Sequence, residues 1–186
     1  KVKGALSDSN VRYPMAHPIF ARLSAAITQK VSARAAGEWF GVAEHAIQAL
    51  YLLGEQPDAL ASEILRELTV DVFDNGGSSV RLAQLVFVVG HIALKQIVYL
   101  ELVEREFKRR KALRDAEVGG ENRRTELDQV AGSAEDEIGD MIAAIKEREL
   151  LYGPHSILAL YGPLVVHICT NPNAYPDALL QRAAAL

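Results

Sequence analysis

Four consecutive cations, Lys108-Arg109-Arg110-Lys111, form the densest charge in the chain, with Arg105 just before them and Arg114 just after. An unbroken run of cations reaches every side of a helix. Glu101, Glu104 and Glu106 are therefore not expected to pair with all of them locally. The chemistry open to such a cluster is anion recognition, because it attracts phosphates and releases their condensed counterions. No aromatic residue interleaves with the cations between residues 108 and 114. Base stacking has no platform there, and contact with a nucleic acid would fall on the backbone without sequence preference. Two other readings fit the same residues. Cations at the C-terminal end of a helix complement its dipole, and an acidic protein surface could equally be the partner.

A second group is Glu147, Arg148, Glu149, Leu150, Leu151 and Tyr152, where mixed charge gives way to bulky apolar residues just before Gly153-Pro154. It reads either as a helix end packed into the next structural repeat or as a docking edge for a protein partner. A third group, Glu126, Asp128, Glu135, Asp136, Glu137 and Asp140, is acidic. It suits the first turn of a helix capped by Ser133, or it folds back on the cations.

Catalytic and metal chemistry find little support. His17, His45, His91, His155 and His167 fall on separate predicted elements, no two at the four-residue spacing of a zinc-binding helix. No metal site or cofactor is expected. Cys169, the only cysteine, lies in the apolar stretch Val165-Val166-His167-Ile168-Cys169 and is expected to be a small buried hydrophobe. A single cysteine excludes disulfides within the chain and suits a reducing compartment. Ser156 is not on a nucleophile elbow. Gly76-Gly77 lacks the Gly-Lys-Ser/Thr ending of a phosphate loop. Trp39 sits at an apolar helical position and reads as core.

The elements that must position these groups are helices. Pro18 suits a first helical turn, followed by an apolar face at Ile19, Leu23, Ile27 and Val31 that Gly37 breaks. A second helix is predicted over residues 38–53, with Trp39, Ala43, Ala46, Ile47, Leu50 and Leu53 inward and Gly54 as terminator. A third starts at Pro57 and carries Leu60, Ile64, Leu65, Leu68 and Val72. Asp74-Asn75-Gly76-Gly77-Ser78 is a loop by composition. The predicted helix over residues 79–111 is the longest. Its stripe of Leu82, Val86, Val89, Ala93, Ile97, Leu100, Val103 and Phe107 is widened by Leu85, Phe87, Val88, Ile92, Leu94 and Val98, so it must be covered on more than one side. Residues 112–132 lose the apolar period and read as a flexible charged loop. Helices resume at 133–186, with a kink expected at Gly162-Pro163 and a last helix opening at Pro176. Residues 1–13 are an extended lead-in.

The chain has 186 residues, 49 % apolar and 24 % charged, which places it among globular domains with room for a substantial core. The net charge of −4 argues against general nucleic-acid binding and leaves residues 105–114 as the exception. No apolar run approaches the roughly 20 residues that cross a bilayer, no signal peptide is visible, and no membrane or small-molecule partner is expected. The first residue is not methionine and the last lies in an apparent helix, which reads as a piece of a longer protein. The segment Val42 to Leu52 resembles Val89 to Leu100, with Tyr51-Leu52 and Tyr99-Leu100 in register 48 residues apart. HEAT and armadillo repeats have periods of about 40–47 residues. The fold class expected is therefore all-α: a HEAT-repeat α-solenoid of antiparallel helix pairs, with residues 14–111 and 133–186 as its repeats.

The stretch from Gln84 to Glu101, most of all from Gly90 to Lys111 with its Phe107-Lys108-Arg109-Arg110-Lys111, resembles the condensin complex subunit 1 family. Glu147-Arg148-Glu149-Leu150-Leu151-Tyr152-Gly153-Pro154 and Leu180-Gln181-Arg182-Ala183-Ala184 resemble it too. The likeness covers roughly residues 39–186. It implies a non-catalytic HEAT-repeat regulatory subunit of condensin I, acting in mitotic chromosome condensation. The partners it implies are a kleisin subunit, SMC ATPase subunits and double-stranded DNA. The implied location is the nucleus and chromosomes, with a cytoplasmic pool. The alternative is an α-solenoid adaptor for protein partners with no nucleic-acid role. A helical enzyme domain has no matching set of residues.

Overall fold

The structure, a computed structural model, describes residues 12–117, 139–151 and 153–186. Helix α1 spans Pro18–Thr28, α2 Ala36–Leu53, α3 Pro57–Phe73 and α4 Ser79–Glu117. Residues 139–145 are α-helical and continue as a π-helix over Lys146–Leu151; together they are α5. Helix α6 spans Ile157–Thr170 and α7 Ala178–Ala185. Among the described residues there is no β-strand, and the fold is all-α. Most of the lead-in, most of the charged loop, and the acidic group apart from Asp140 lie outside the described residues.

Helix α4 is the spine. Helices α2, α3, α6 and α7 and the π-helical turn all pack on it, while α1 packs on α2 and α3. Its 39 residues reach about 58 Å at 1.5 Å per residue. The first half is covered as the stripe requires: Ala83, Leu85, Val86, Phe87, Val88, Val89 and Ile92 are all buried. The second half is covered on one face. Leu100 and Val103 bury against Ile142 of α5, with Ile97, Phe107 and Ile145 around them. Leu94 and Val98, expected to widen the buried stripe, are 57 % and 43 % exposed. Over Ser79–Arg110 this helix is, contrary to expectation, long and apolar enough to cross a bilayer by length and composition. The buried residues of its first half face protein instead, in one core with α1, α2, α3, α6 and α7.

The main core confirms the stripes of α2 and α3. Trp39, Ala43, Ala46, Ile47 and Leu50 are buried on α2, and Leu60, Ile64, Leu65, Leu68 and Val72 on α3. Trp39 donates its Nε1 proton to the Ala26 carbonyl at 3.0 Å and lies edge-on to Phe40 and Phe87. The turn after α3 closes as its composition predicts. Gly76 adopts φ +68°, and Gly77 donates to the Val72 carbonyl at 2.9 Å. The two tyrosines of the sequence repeat meet across α2 and α4, ring centroids 6.1 Å apart, with Tyr51 Oη donating to Gln96 Oε1 at 2.8 Å. Arg12 donates to the carbonyls of Tyr51 and Gly54 at 3.1 and 2.6 Å, and Tyr13 bridges Gly54, so the end of the lead-in is tied to the C-terminus of α2.

Helix α1 ends at Thr28, short of Val31, and Gly37 lies inside the first turn of α2 rather than breaking α1. The reason is a polar network reaching from α4. Arg81, 6 % exposed, donates to the Thr28 carbonyl at 2.7 Å and the Gln29 carbonyl at 3.2 Å. It also holds Asp71 Oδ2 at 2.5 Å and Gln84 Oε1 at 2.9 Å. Gln84 Nε2 adds a bond to the Gln29 carbonyl at 3.1 Å. Carbonyls at a helix end need outside donors, and here α4 supplies them. Three smaller expectations are corrected. Helix α4 runs on to Glu117, so the charged stretch from Ala112 begins helical. Asp177, not Pro176, starts α7, capping Leu179 N at 2.9 Å and taking the Ser79 hydroxyl at 2.6 Å. Gly54 does end α2, as expected, and does so in extended backbone with φ −80°. Cys169 is exposed, because Ile168 takes the inward position and its neighbour turns out, the thiol lying 3.6 Å from the Ala184 carbonyl.

Candidate nucleic-acid and partner interface

The basic run lies on the last turns of α4, beyond the small core that fixes the helix against α5. Three of the four cations of the run have carboxylate partners on their own helix. Lys108 Nζ lies 2.9 Å from Glu104 Oε1. Arg109 engages both oxygens of Glu106, through Nε at 2.8 Å and Nη2 at 2.8 Å, and Arg110 Nε reaches Glu106 Oε1 at 2.9 Å. Helical spacing of three and four residues brings each pair together. Arg105 is exposed, while Lys111 and Arg114 lie on the helix with side chains outside the description. Glu101 turns the other way, 3.9 Å from Lys146 Nζ of α5. Over residues 101–117 six cations face five carboxylates, so the helix end is charge-dense rather than strongly positive.

Glu106 is the informative residue. It follows Val103 by three positions on the inward face, and its side chain is 10 % accessible. The hydrogen bonds from Arg109 pull its pKa down against the opposing effect of burial, and Arg110 adds to the fall, to about 2. Glu104 is also held below the ordinary carboxylate range, chiefly by Lys108. The sign follows: a depressed folded-state pKa stabilises above the unfolded carboxylate range, and that contribution is lost as pH falls toward 2. A carboxyl-carbon NMR titration should give Glu106 a midpoint near pH 2; a midpoint in the normal range above 4 would contradict the three-bond arrangement.

The second group sits on the π-helical turn. Glu147 and Arg148 are exposed and Leu151 is 36 % exposed. Glu149 and Leu150 lie on the turn with side chains outside the description, and Tyr152 lies outside the described residues. Two neighbours shape this wide turn. A Cβ on Gly153 would overlap the Arg148 carbonyl oxygen, so only glycine allows the chain to double back there. Ser156, fully buried, donates its hydroxyl to the Leu151 carbonyl at 3.1 Å and accepts from Ala159 N at 3.0 Å. One side chain closes the π-turn and caps α6. Ser156→Ala should lower stability by about 1–2 kcal/mol, read as a fall in the denaturant midpoint at unchanged slope.

Beside this turn lies an open cleft of about 450 Å³ between α2, α3, α4 and α5, lined by Tyr51, Asp58, Leu65, Ile92 and Arg148 among others. Burial pushes the Tyr51 phenol well above its ordinary range, which keeps it a neutral donor to Gln96. Among the described residues no group of three His, Cys, Asp or Glu could hold a metal ion. Sequence reasoning missed the Arg81 network, whose signal was an arginine in the first turn of an apolar helix ten residues after Asp71. It also missed the inward position of Glu106, which the stripe of Leu100, Val103 and Phe107 marks.

The described residues form an all-α fold with a charged helix end and a shaped turn on its surface. Across 99 % of its residues the chain is 34 % identical to condensin complex subunit 1 of Schizosaccharomyces pombe. It is 35 % identical over 80 % of its residues to that of Saccharomyces cerevisiae, and 32 % identical over 97 % to that of Xenopus laevis. The chain belongs to the condensin complex subunit 1 family. It spans 19 %, 15 % and 15 % of the length of these three relatives. No family model matches the chain.

Proposed function

We propose that this chain is a non-catalytic segment of a condensin regulatory subunit, a HEAT-repeat α-solenoid section that holds partner sites in fixed relation during mitotic chromosome condensation. The observation that carries this reading is the similarity to condensin subunits of fungi and a vertebrate over nearly the whole chain. The location is the nucleus and its chromosomes, with a cytoplasmic pool. The end of α4, with Arg105, Lys108, Arg109, Arg110, Lys111 and Arg114, contacts the phosphate backbone of duplex DNA. The turn with Glu147, Arg148, Glu149, Leu150, Leu151 and Tyr152 docks a kleisin subunit or the SMC ATPase subunits. Its support is the exposure of Glu147, Arg148 and Leu151 on a turn held from both ends.

Affinity purification of the full-length protein tests the assignment. SMC subunits and a kleisin should come with it in equal amounts, and their absence from an otherwise intact preparation would reject it. The second reading, an adaptor without a nucleic-acid role, is favoured by one observation: Lys108, Arg109 and Arg110 each hold a carboxylate of their own helix. Duplex binding that falls with salt separates the two.

A further inference from the structure

We infer that Glu106 is an internal stand-in for phosphate, held by Arg109 and Arg110, that limits how tightly the end of α4 binds a polyphosphate backbone. The inference rests on the reading of this helix end as a phosphate-backbone site and adds the residue that sets its strength. Arg109 grips the carboxylate as a fork, one nitrogen to each oxygen, and Arg110 adds a third bond at 2.9 Å. Guanidinium forks fit carboxylate and phosphate with the same planar geometry. A carboxylate in that position competes with phosphate for the same donors.

Glu106 is also unable to leave easily. It sits on the inward side of α4 with its side chain 10 % accessible, whereas Glu104, the partner of Lys108, is 29 % accessible. The cluster of Glu106, Arg109 and Arg110 carries a net charge of +1 in place of the +2 of its arginines. An arriving phosphate shares the two guanidiniums with a fixed anion, and each contact releases less counterion than two open arginines would. The helix end is thereby set for weak, readily broken contact with a phosphate backbone.

The test uses the full-length protein and two probes, a random-sequence DNA duplex and a linear inorganic polyphosphate, titrated by fluorescence anisotropy across a salt series. Glu106→Gln keeps size and one acceptor while removing the charge. It should bind both probes roughly eightfold tighter at 0.1 M salt, with a salt slope steeper by about 0.9, the signature of one more cation engaged. Glu106→Leu, which removes the acceptors as well, should move in the same direction; thermal melting of both variants verifies the fold. Equal or weaker binding of both probes by both variants overturns the inference. If wild type binds duplex and Arg109→Ala/Arg110→Ala weakens it, the DNA reading survives that result. Conversely, polyphosphate binding that tightens in the variants while no form binds duplex keeps the inference and rejects DNA as the ligand.

Discussion

Replacing Arg81 by alanine should lower the stability of the chain by about 3 kcal/mol and its melting temperature by roughly 6–12 °C. The guanidinium, 6 % exposed, makes four side-chain hydrogen bonds that join three helices. Without it the carbonyls of Thr28 and Gln29 lose their donors from α4, apart from Gln84 Nε2 on Gln29. Buried acceptors left without donors account for most of the loss. Arg81→Lys should restore little, because a single ammonium replaces Asp71 pairing at best and cannot span acceptors on α1, α3 and α4 at once. Removing Lys30, whose side chain is 73 % exposed and pairs with the same Asp71, should change stability little. Thermal and chemical denaturation of the four proteins checks the order. Hydrogen exchange at the end of α1 should speed up first in Arg81→Ala, since that helix end depends on a donor 52 and 53 residues away. An Arg81→Ala protein as stable as wild type would show that the network is incidental.

Reversing the charge of Lys108, Arg109, Arg110 and Lys111 together should nearly abolish duplex binding by this part of the protein. If the run meets three phosphates, Glu106 holding back one arginine's worth of charge, the slope of log affinity against log salt should shrink by about 2.7. The loss should be the same for duplexes of any sequence, because side chains on phosphates fix position without reading bases. Folding should survive, since these residues lie past the buried residues Leu100 and Val103. The reversed protein will leave Glu104 and Glu106 facing new carboxylates, so its melting temperature must be measured beside its affinity. A salt series in which wild type and variant coincide would transfer the basic run to the adaptor reading.

The helices of the core were legible in the residues themselves. On α3 each apolar residue at the expected spacing is buried, and the loop at residues 74–78 closes on Gly76 and Gly77 as its composition demands. Periodicity works there because local pattern and tertiary burial agree. It fails where the cause is distant. The end of α1 is set by Arg81, far along the chain, and nothing in Val31 or Gly37 reports it. Cys169 shows a different limit: in a stretch apolar on every side, as in Val165 to Cys169, periodicity cannot choose the buried face, and Ile168 takes it. At the candidate site the residues were legible, and the detail of their pairing was not. The three- and four-residue spacings that pair Lys108 with Glu104, and Arg109 and Arg110 with Glu106, were in the sequence throughout. The π-helical turn had no sequence signal beyond the Gly153-Pro154 that follows it.

On the proposed reading a charged helix end on a helical frame, and not a reactive pocket, meets DNA in the assembled complex. A photo-crosslinking amino acid at position 105, exposed on α4 next to the paired cations, reports this directly when the purified complex is irradiated with duplexes of unrelated sequence. Crosslinks to DNA of comparable yield on every duplex, fading as salt rises, are the predicted result. Crosslinks to protein subunits alone, unchanged by DNA or by salt, would contradict the account.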